Sequence, residues 1–148
     1  MTTRISFSDR QQDIVEIALH HQDLEAAIRM YFNPRSASFE DRFFGKLASE
    51  IEAKLKELID EIELSSSFWL LAAIEAAFRI DFLQRCYDRK RDKLSKTFRQ
   101  IYKERRDRVS LDDDILAAWR QYHPDLGVLL GELRGALKLR HWLAHGRY

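Results

Sequence analysis

The chain has 148 residues, 45% of them hydrophobic and 33% charged, with a formal net charge of +1. This length and composition suit one compact domain over residues 1–148, burying roughly 68–70% of its unfolded surface. A single cysteine, Cys86, excludes an intramolecular disulfide framework and a multi-cysteine zinc site, and we expect a buried thiol in a reducing cytosol. Without a signal-peptide layout or an apolar run of about 20 residues, the sequence predicts a soluble cytoplasmic protein with no membrane partner.

The spacing of apolar residues is helical throughout the chain, and glycines and prolines leave few turns. Ser8 and Gln11 predict a capping box ahead of a first helix, whose apolar stripe stops before Asn33-Pro34. A second helix is predicted over residues 38–64. The serines at 65–67 then predict a break between the second helix and the next one.

Residues 68–78 are apolar on every side, which predicts the most buried helix and the centre of the core. The helical pattern continues to Arg108, and a helix of that length would reach ~60 Å, so we expect it either to break or to project. Ser110 with three aspartates at 112–114 is a strong helix start, and residues 123–125 lead into the last helix. The sequence therefore predicts an all-α fold, a single bundle of about five helices.

The last helix has an apolar seam that turns polar towards its end. The seam consists of Leu126, Leu130, Leu133 and Leu137. One further turn brings Arg140 or His141, and then Ala144 or His145, onto the same edge. An inward Arg or His needs a carboxylate, a ligand or a second subunit to offset its desolvation. Alternatively, the helix end runs past the domain and places these cations in solvent.

The segment Arg140-His141-Trp142-Leu143-Ala144-His145 combines a permanent cation with a titratable base. An arginine can bind a phosphate bidentately at any biological pH, and a histidine can exchange a proton near neutrality. This pair could therefore assist phosphoryl transfer without a metal. The spacing of Arg140, four residues and His145, with His141 in the polar position after the Arg, resembles the R-x(4–6)-H motif of the HEPN superfamily.

The resemblance extends over most of the chain, because HEPN domains are all-helical bundles of about this size with the motif in a late helix. It implies a metal-independent endoribonuclease that works as a homodimer, in a toxin–antitoxin or antiphage system with an antitoxin or regulatory protein as partner. In one toxin subgroup the motif continues as R-x4-H-x-Y, and that Tyr is modified by a nucleotidyltransferase. Here Tyr148 stands one residue later, so we do not assign that modification. Tyr148 also ends the sequence, so the domain could belong to a longer chain.

Helix geometry restricts how Arg140 and His145 can act together. Five positions amount to ~500° of rotation, which leaves the two residues ~140° apart on a straight helix. Either Gly146 lets the helix open near His145, or a twofold axis brings the Arg of one protomer towards the His of the other. The resemblance implies the second arrangement. Trp142 and Leu143 are candidates for such an interface, or for intramolecular core.

Glu75 is the one charged residue within the apolar stretch 68–78. A buried carboxylate needs a partner, and Arg79 one turn later could form an i,i+4 ion pair. Alternatively, Glu75 faces the terminal motif and orients Arg140 or His145, as a polar residue from an earlier helix does in HEPN domains.

Positive charge is concentrated between Arg85 and Arg108. Eleven Lys and Arg residues against four Asp and Glu residues give this segment +7, so the rest of the chain sums to −6. Such asymmetry can attract an RNA backbone, with Tyr87, Phe98 and Tyr102 as stacking faces. The alternating signs also suit a salt-bridged surface exposed to solvent, or a protein-binding face.

The predicted catalytic residues are Arg140, His145, His141 and Glu75, acting on single-stranded RNA without cofactor or metal. His145 would transfer a proton to or from the reacting oxygens, and Arg140 would stabilise the phosphorane oxygens. His141 would support a phosphate contact or the orientation of Arg140. The 2′-hydroxyl would attack its own phosphate, so the products would carry a 2′,3′-cyclic phosphate.

Two alternatives stay open. His141 and His145 are spaced i,i+4, as two metal ligands on one helical face are, with Glu75 or His123 as a third ligand. Trp142, however, stands where an H-E-x-x-H site has its Glu. In the other alternative, a noncatalytic helical domain uses the same Arg and His to bind nucleotide phosphates or to form an interface.

Overall fold

The computed structural model describes residues 13–145, apart from the side chains of Leu143 and His145. This part of the chain contains α-helices and short helical turns but no strand, which confirms the predicted all-α fold. The α-helices are α1 (Ile14–Tyr31), α2 (Phe39–Arg42), α3 (Ala48–Tyr87), α4 (Lys93–Arg105), α5 (Ala117–Tyr122) and α6 (Gly127–His145). None of the helices described here is long and apolar enough to span a bilayer. The capping box predicted at Ser8 and Gln11 lies outside the described residues.

The predicted second helix begins where expected, with Ser38 as the N-cap of α2, but it is interrupted after Arg42 and does not end near residue 64. The chain turns between α2 and α3 at Gly45, whose φ of +74° is a conformation that glycine adopts without a steric penalty. The break predicted at residues 65–67 does not exist, because α3 runs unbroken through the three serines for 40 residues. Serine costs only a few tenths of a kcal/mol in a helix interior, so three serines among strong helix formers do not end one.

The predicted break or projection before Arg108 is a break. The chain leaves α3 after Tyr87, passes through Arg89 with a positive φ of 50°, and restarts at α4. Asp92 caps α4, because its carboxylate accepts hydrogen bonds from the Ser95 backbone N–H at 2.9 Å and from the Ser95 hydroxyl at 2.6 Å. These hydrogen bonds lower the pKa of the Asp92 carboxyl.

The chain divides into two compact units, Met1–Ala73 and Ile74–Tyr148, and α3 contributes to both. The single-domain organisation stays a prediction. In the first unit, Phe32 is buried at the end of α1 and its ring lies 5.1 Å from that of Phe43. His21 in α1 lies with its Nδ1 3.1 Å from the Ser66 hydroxyl in α3, so this histidine links two helices of the unit.

The second unit holds the main hydrophobic core. Its buried residues are Phe82, Cys86, Leu94, Phe98, Leu111, Ile115, Leu116, Ala118 and Leu130. Phe98 has no exposed surface, and its ring packs 4.9 Å from that of Phe82. Cys86 is buried, which confirms the prediction of a buried thiol. Burial raises the pKa of the Cys86 thiol to about 11.

The expectation that residues 68–78 form the centre of the core was wrong. No residue of that stretch is fully buried, and the Trp69 side chain is 56% exposed. An apolar helix surface becomes core only where other elements cover it. In the second unit those elements reach α3 later, at Phe82 and Cys86.

The last two helices begin and pack as the sequence predicts. The Ser110 hydroxyl accepts a hydrogen bond from the Asp113 backbone N–H at 3.2 Å, which caps a π-helical turn (Leu111–Leu116) that leads into α5. A short 3-10 turn at Pro124–Leu126 then leads into α6. The predicted seam of α6 faces the core, since Leu130 is buried and Leu126, Leu133 and Leu137 pack against the buried cluster.

Candidate functional site around Arg140

Arg140 lies on α6 just beyond the apolar seam, where it forms an ion pair with Glu75 of α3. The distance from the Arg140 Nη2 to the Glu75 Oε2 is 2.8 Å. The Arg140 side chain is 25% exposed and the Glu75 side chain 22% exposed, so the pair is only partly screened by water. The structure thus brings together two of the four predicted catalytic residues, and each lies in a different helix of the second unit.

Glu75 also pairs with Arg79, whose Nε lies 3.0 Å from the Glu75 Oε1. Both contacts considered for Glu75 therefore occur together, because one carboxylate bridges the guanidinium one turn along α3 and the guanidinium of the motif. That Glu75 orients Arg140 for the reaction stays a prediction. We name Arg79, Glu75 and Arg140 the ionic triad. One negative and two positive charges leave the triad with a net charge of +1, which favours an anion beside it.

The triad also limits the movement of Arg140. A long Arg side chain at the surface samples many rotamers, whereas a carboxylate partner anchored in another helix selects few of them. Glu75 is itself held by Arg79, which points its Nη1 at the Val109 carbonyl oxygen at 3.5 Å. The ionic triad can therefore present the Arg140 guanidinium in a defined orientation before any ligand binds.

His141 is exposed and lines a cavity of about 460 Å³ between α6 and the Leu111–Leu116 turn. The cavity is lined by Leu111, Asp112, Leu116, Arg134, Leu137, Lys138, His141 and Trp142. Its walls are mostly aliphatic and aromatic, while one edge carries cations. We call it the α6 cavity. The predicted phosphate-contact role of His141 stays a prediction.

The Asp112–Arg134 ion pair on the wall of the α6 cavity was missed by sequence reasoning. The Asp112 Oδ1 contacts the Arg134 Nε, and each side chain is about one third exposed. The sequence pattern predicts only a helix-start role for Asp112. The position of Arg134 could have indicated this ion pair. Arg134 lies one turn past Leu130 at the edge of the seam, where a cation requires a carboxylate partner.

His145 is the last helical residue of α6, and its side chain lies outside what the structure describes, as do Gly146 and Tyr148. The backbone position is nevertheless informative. Because α6 is continuous through His145, this residue stands ~140° from Arg140 around the helix axis. The alternative in which Gly146 lets the helix open near His145 lies outside the described residues.

The basic segment from Arg85 to Arg108 contains both paired and exposed cations. Arg85 binds Asp81 at 2.8 Å and lies 5.2 Å from the Trp119 ring centre, and Arg105 binds Asp114 at 3.2 Å. The cations at 89–91 are exposed in the turn between α3 and α4. Phe98 is fully buried, so its expected role as a stacking face for RNA bases was wrong.

The metal alternative depends on His145 and is therefore not addressed by the described side chains. Within the described part of the chain, no three or more His, Cys, Asp and Glu side chains cluster in a way that could hold a metal ion.

Comparisons with known proteins do not add a candidate function, since no family model, curated protein or solved structure matches this chain. The HEPN resemblance accordingly rests on the motif, its place in the last helix and the all-α fold.

Proposed function

We propose that this chain is a metal-independent endoribonuclease of the HEPN type, which cleaves single-stranded RNA at a composite Arg/His site between two copies. The observation that carries the proposal is the ion pair between Glu75 and Arg140. It joins the motif arginine to a carboxylate from an earlier helix, which restricts the orientations open to the guanidinium. A preorganised cation of this kind stabilises a transition state without reorganising during the reaction.

In the proposed reaction the 2′-oxygen of a ribose attacks the adjacent phosphorus and the bond from phosphorus to the 5′-oxygen breaks. His145 of one copy accepts the proton of the 2′-hydroxyl, and a water molecule donates a proton to the departing 5′-oxygen. Arg140 stabilises the negative charge on the phosphorane oxygens, and Glu75 positions Arg140. The products are a 2′,3′-cyclic phosphate and a 5′-hydroxyl.

The need for two copies follows from α6 itself. One continuous helix places Arg140 and His145 ~140° apart, so a second copy is the direct way to bring an Arg and a His to one phosphate. Support comes from the side of α6 that lies opposite the seam. Val128, Leu139 and Trp142 are exposed there, and Gly131 and Gly135 leave room for a close approach. An apolar helix face of this kind is suited to self-association.

The charge distribution supports RNA as the substrate. The exposed cations at 89–91 belong to the segment with a net charge of +7, which can attract a phosphate backbone. A ribonuclease of this type would act in a toxin–antitoxin or antiphage system, where an antitoxin or regulatory protein restrains it. The activity of the isolated chain can be tested without that partner.

The test is cleavage of a labelled single-stranded RNA by the purified protein with and without EDTA. We expect cleavage in EDTA, cyclic-phosphate ends, and no cut where the target ribose lacks its 2′-hydroxyl. His145→Ala should lower the rate by ~10²–10⁴-fold and Arg140→Ala by about 10²–10³-fold. His20→Ala and Arg35→Ala, at exposed positions of the first unit, are the matched controls and should cut normally. Cleavage that requires a metal, or that survives His145→Ala, would contradict the proposal.

The ion pair also favours a second candidate function. If Arg140 serves only to hold α6 against α3, the chain is a noncatalytic helical domain that binds nucleotides or a protein. RNA cleavage distinguishes the two functions, because a noncatalytic domain cuts no RNA. Glu75→Gln should destabilise the protein in either case.

A further inference from the structure

The α6 cavity lies in the second unit, and the proposed chemistry does not use it. Its volume of about 460 Å³ lies in the range of small-molecule sites, which are typically 300–1,000 Å³. Leu111, Leu116 and Leu137 form an aliphatic wall, and the exposed Trp142 stands beside it. A flat aromatic ligand fits such walls, since it can pack on the leucines and stack on the indole.

The charges of the cavity indicate an anion on that ligand. Arg134, Lys138 and His141 lie on one side of α6, within ~60° of arc around the helix axis. Asp112 offsets Arg134, whereas no carboxylate among the described side chains lies within ion-pair distance of Lys138. An aromatic group that carries a phosphate therefore matches both the walls and the rim.

The same side of α6 leads to the proposed catalytic histidine. His145 follows Lys138 and His141 by seven and four residues, so its backbone position falls within the same ~60° arc. A ligand in the α6 cavity would thus lie one helical turn from the residue that is proposed to transfer the proton. This distance suits the nucleotide next to the cleaved phosphate.

We infer that the α6 cavity binds the base of the RNA nucleotide adjacent to the cleaved phosphate, and that it selects guanine. Its position next to the cleaved bond rests on the proposed function. Asp112 and Arg134 place an acceptor and a donor side by side on the cavity wall. Guanine presents two neighbouring N–H donors and the O6 acceptor on one edge, and no other RNA base offers that combination. Lys138 and His141 contact the attached phosphate.

The test is the equilibrium binding of 5′-GMP, 5′-AMP, 5′-CMP and 5′-UMP, measured by calorimetry. We expect GMP to bind most tightly. Asp112→Asn and Trp142→Ala should each weaken GMP binding by about fivefold or more, because the first removes the proposed acceptor for the guanine N–H donors and the second removes the stacking surface. Asp113→Asn and Trp69→Ala are the matched controls, because Asp113 is the exposed neighbour in the same turn and Trp69 is 56% exposed against 57% for Trp142. Both controls should bind GMP like the wild type.

Mononucleotide binding does not require cleavage, so the two proposals can fail separately. GMP binding that depends on Asp112 and Trp142, in a protein that cuts no RNA, would support the cavity and contradict the ribonuclease. RNA cleavage at all four nucleotides with equal rates, together with no preference among the mononucleotides, would overturn the inference and leave the ribonuclease standing. Equal losses in the variants and in their controls would also overturn it. Trp142 also lies on the face of α6 proposed for self-association, so the oligomeric state of each variant is measured by light scattering. A loss of GMP binding that occurs only together with dissociation of the dimer would overturn the inference.

Discussion

The ionic triad can be tested by a double-mutant cycle on Glu75 and Arg140. At 2.8 Å and an effective dielectric constant of 20, Coulomb's law gives an upper bound of about 6 kcal/mol for this pair. About a quarter of each side chain is exposed, so solvent screening and side-chain entropy reduce the net coupling to roughly 1–2 kcal/mol. The i,i+4 pair of Glu75 with Arg79 should couple by only ~0.3–0.5 kcal/mol.

The cycle uses Glu75→Gln, Arg140→Gln and the double variant, with urea unfolding as the assay. A second cycle replaces Arg140→Gln by Arg79→Gln and serves as the matched control. The coupling with Arg140 should exceed the coupling with Arg79 and fall at high salt, because screening weakens partly exposed ion pairs. If the Arg140 coupling is no larger than the Arg79 coupling, Glu75 does not hold Arg140 and the positioning argument fails.

Three further predictions concern the core, a cap and the thiol. Phe98→Ala should lower the free energy of unfolding by about 3–5 kcal/mol because the ring is fully buried, whereas Phe44→Ala, at a 90% exposed side chain, should change it by less than ~0.5 kcal/mol in the same urea assay. Asp92→Ala should cost about 1 kcal/mol at neutral pH, and the loss should vanish in acid, because the lowered pKa makes the contribution of the ionised Asp92 disappear as the pH falls. The thiol pKa of Cys86 is raised from 9.0 to about 11, so unfolding releases a proton in that range. Stability should therefore fall as the pH rises from 9 to 11 in the wild type but not in Cys86→Ala, as followed by thermal unfolding.

Local signals in the sequence predicted local structure well. Ser110 and the aspartates after it predicted a helix start, and the leucine seam predicted the buried side of α6, because capping and helical periodicity act within a few residues. The serines at 65–67 failed as a break signal, since an unfavourable residue ends a helix only when no packing or neighbouring propensity sustains it.

Contacts between helices could be predicted only where a charged residue in an apolar environment required a partner of opposite charge. Glu75 was recognisable as a carboxylate in an apolar stretch, and its pairing with Arg140 follows from the need to compensate charge away from water. The α6 cavity could not be predicted, because its walls come from two separate segments, residues 111–116 and 134–142, whose packing no local pattern encodes. Likewise, the apolar stretch 68–78 gave no indication of which part of α3 other helices would cover.

Subunit mixing tests the composite site most directly. Arg140→Ala and His145→Ala proteins, each inactive alone, are mixed, allowed to exchange subunits and assayed on labelled single-stranded RNA. If each site takes its Arg from one copy and its His from the other, every mixed dimer has one intact site. Mixed dimers form half of the population, so the mixture should regain about a quarter of the wild-type activity. A mixture that exchanges subunits and remains as inactive as its components would contradict the composite site.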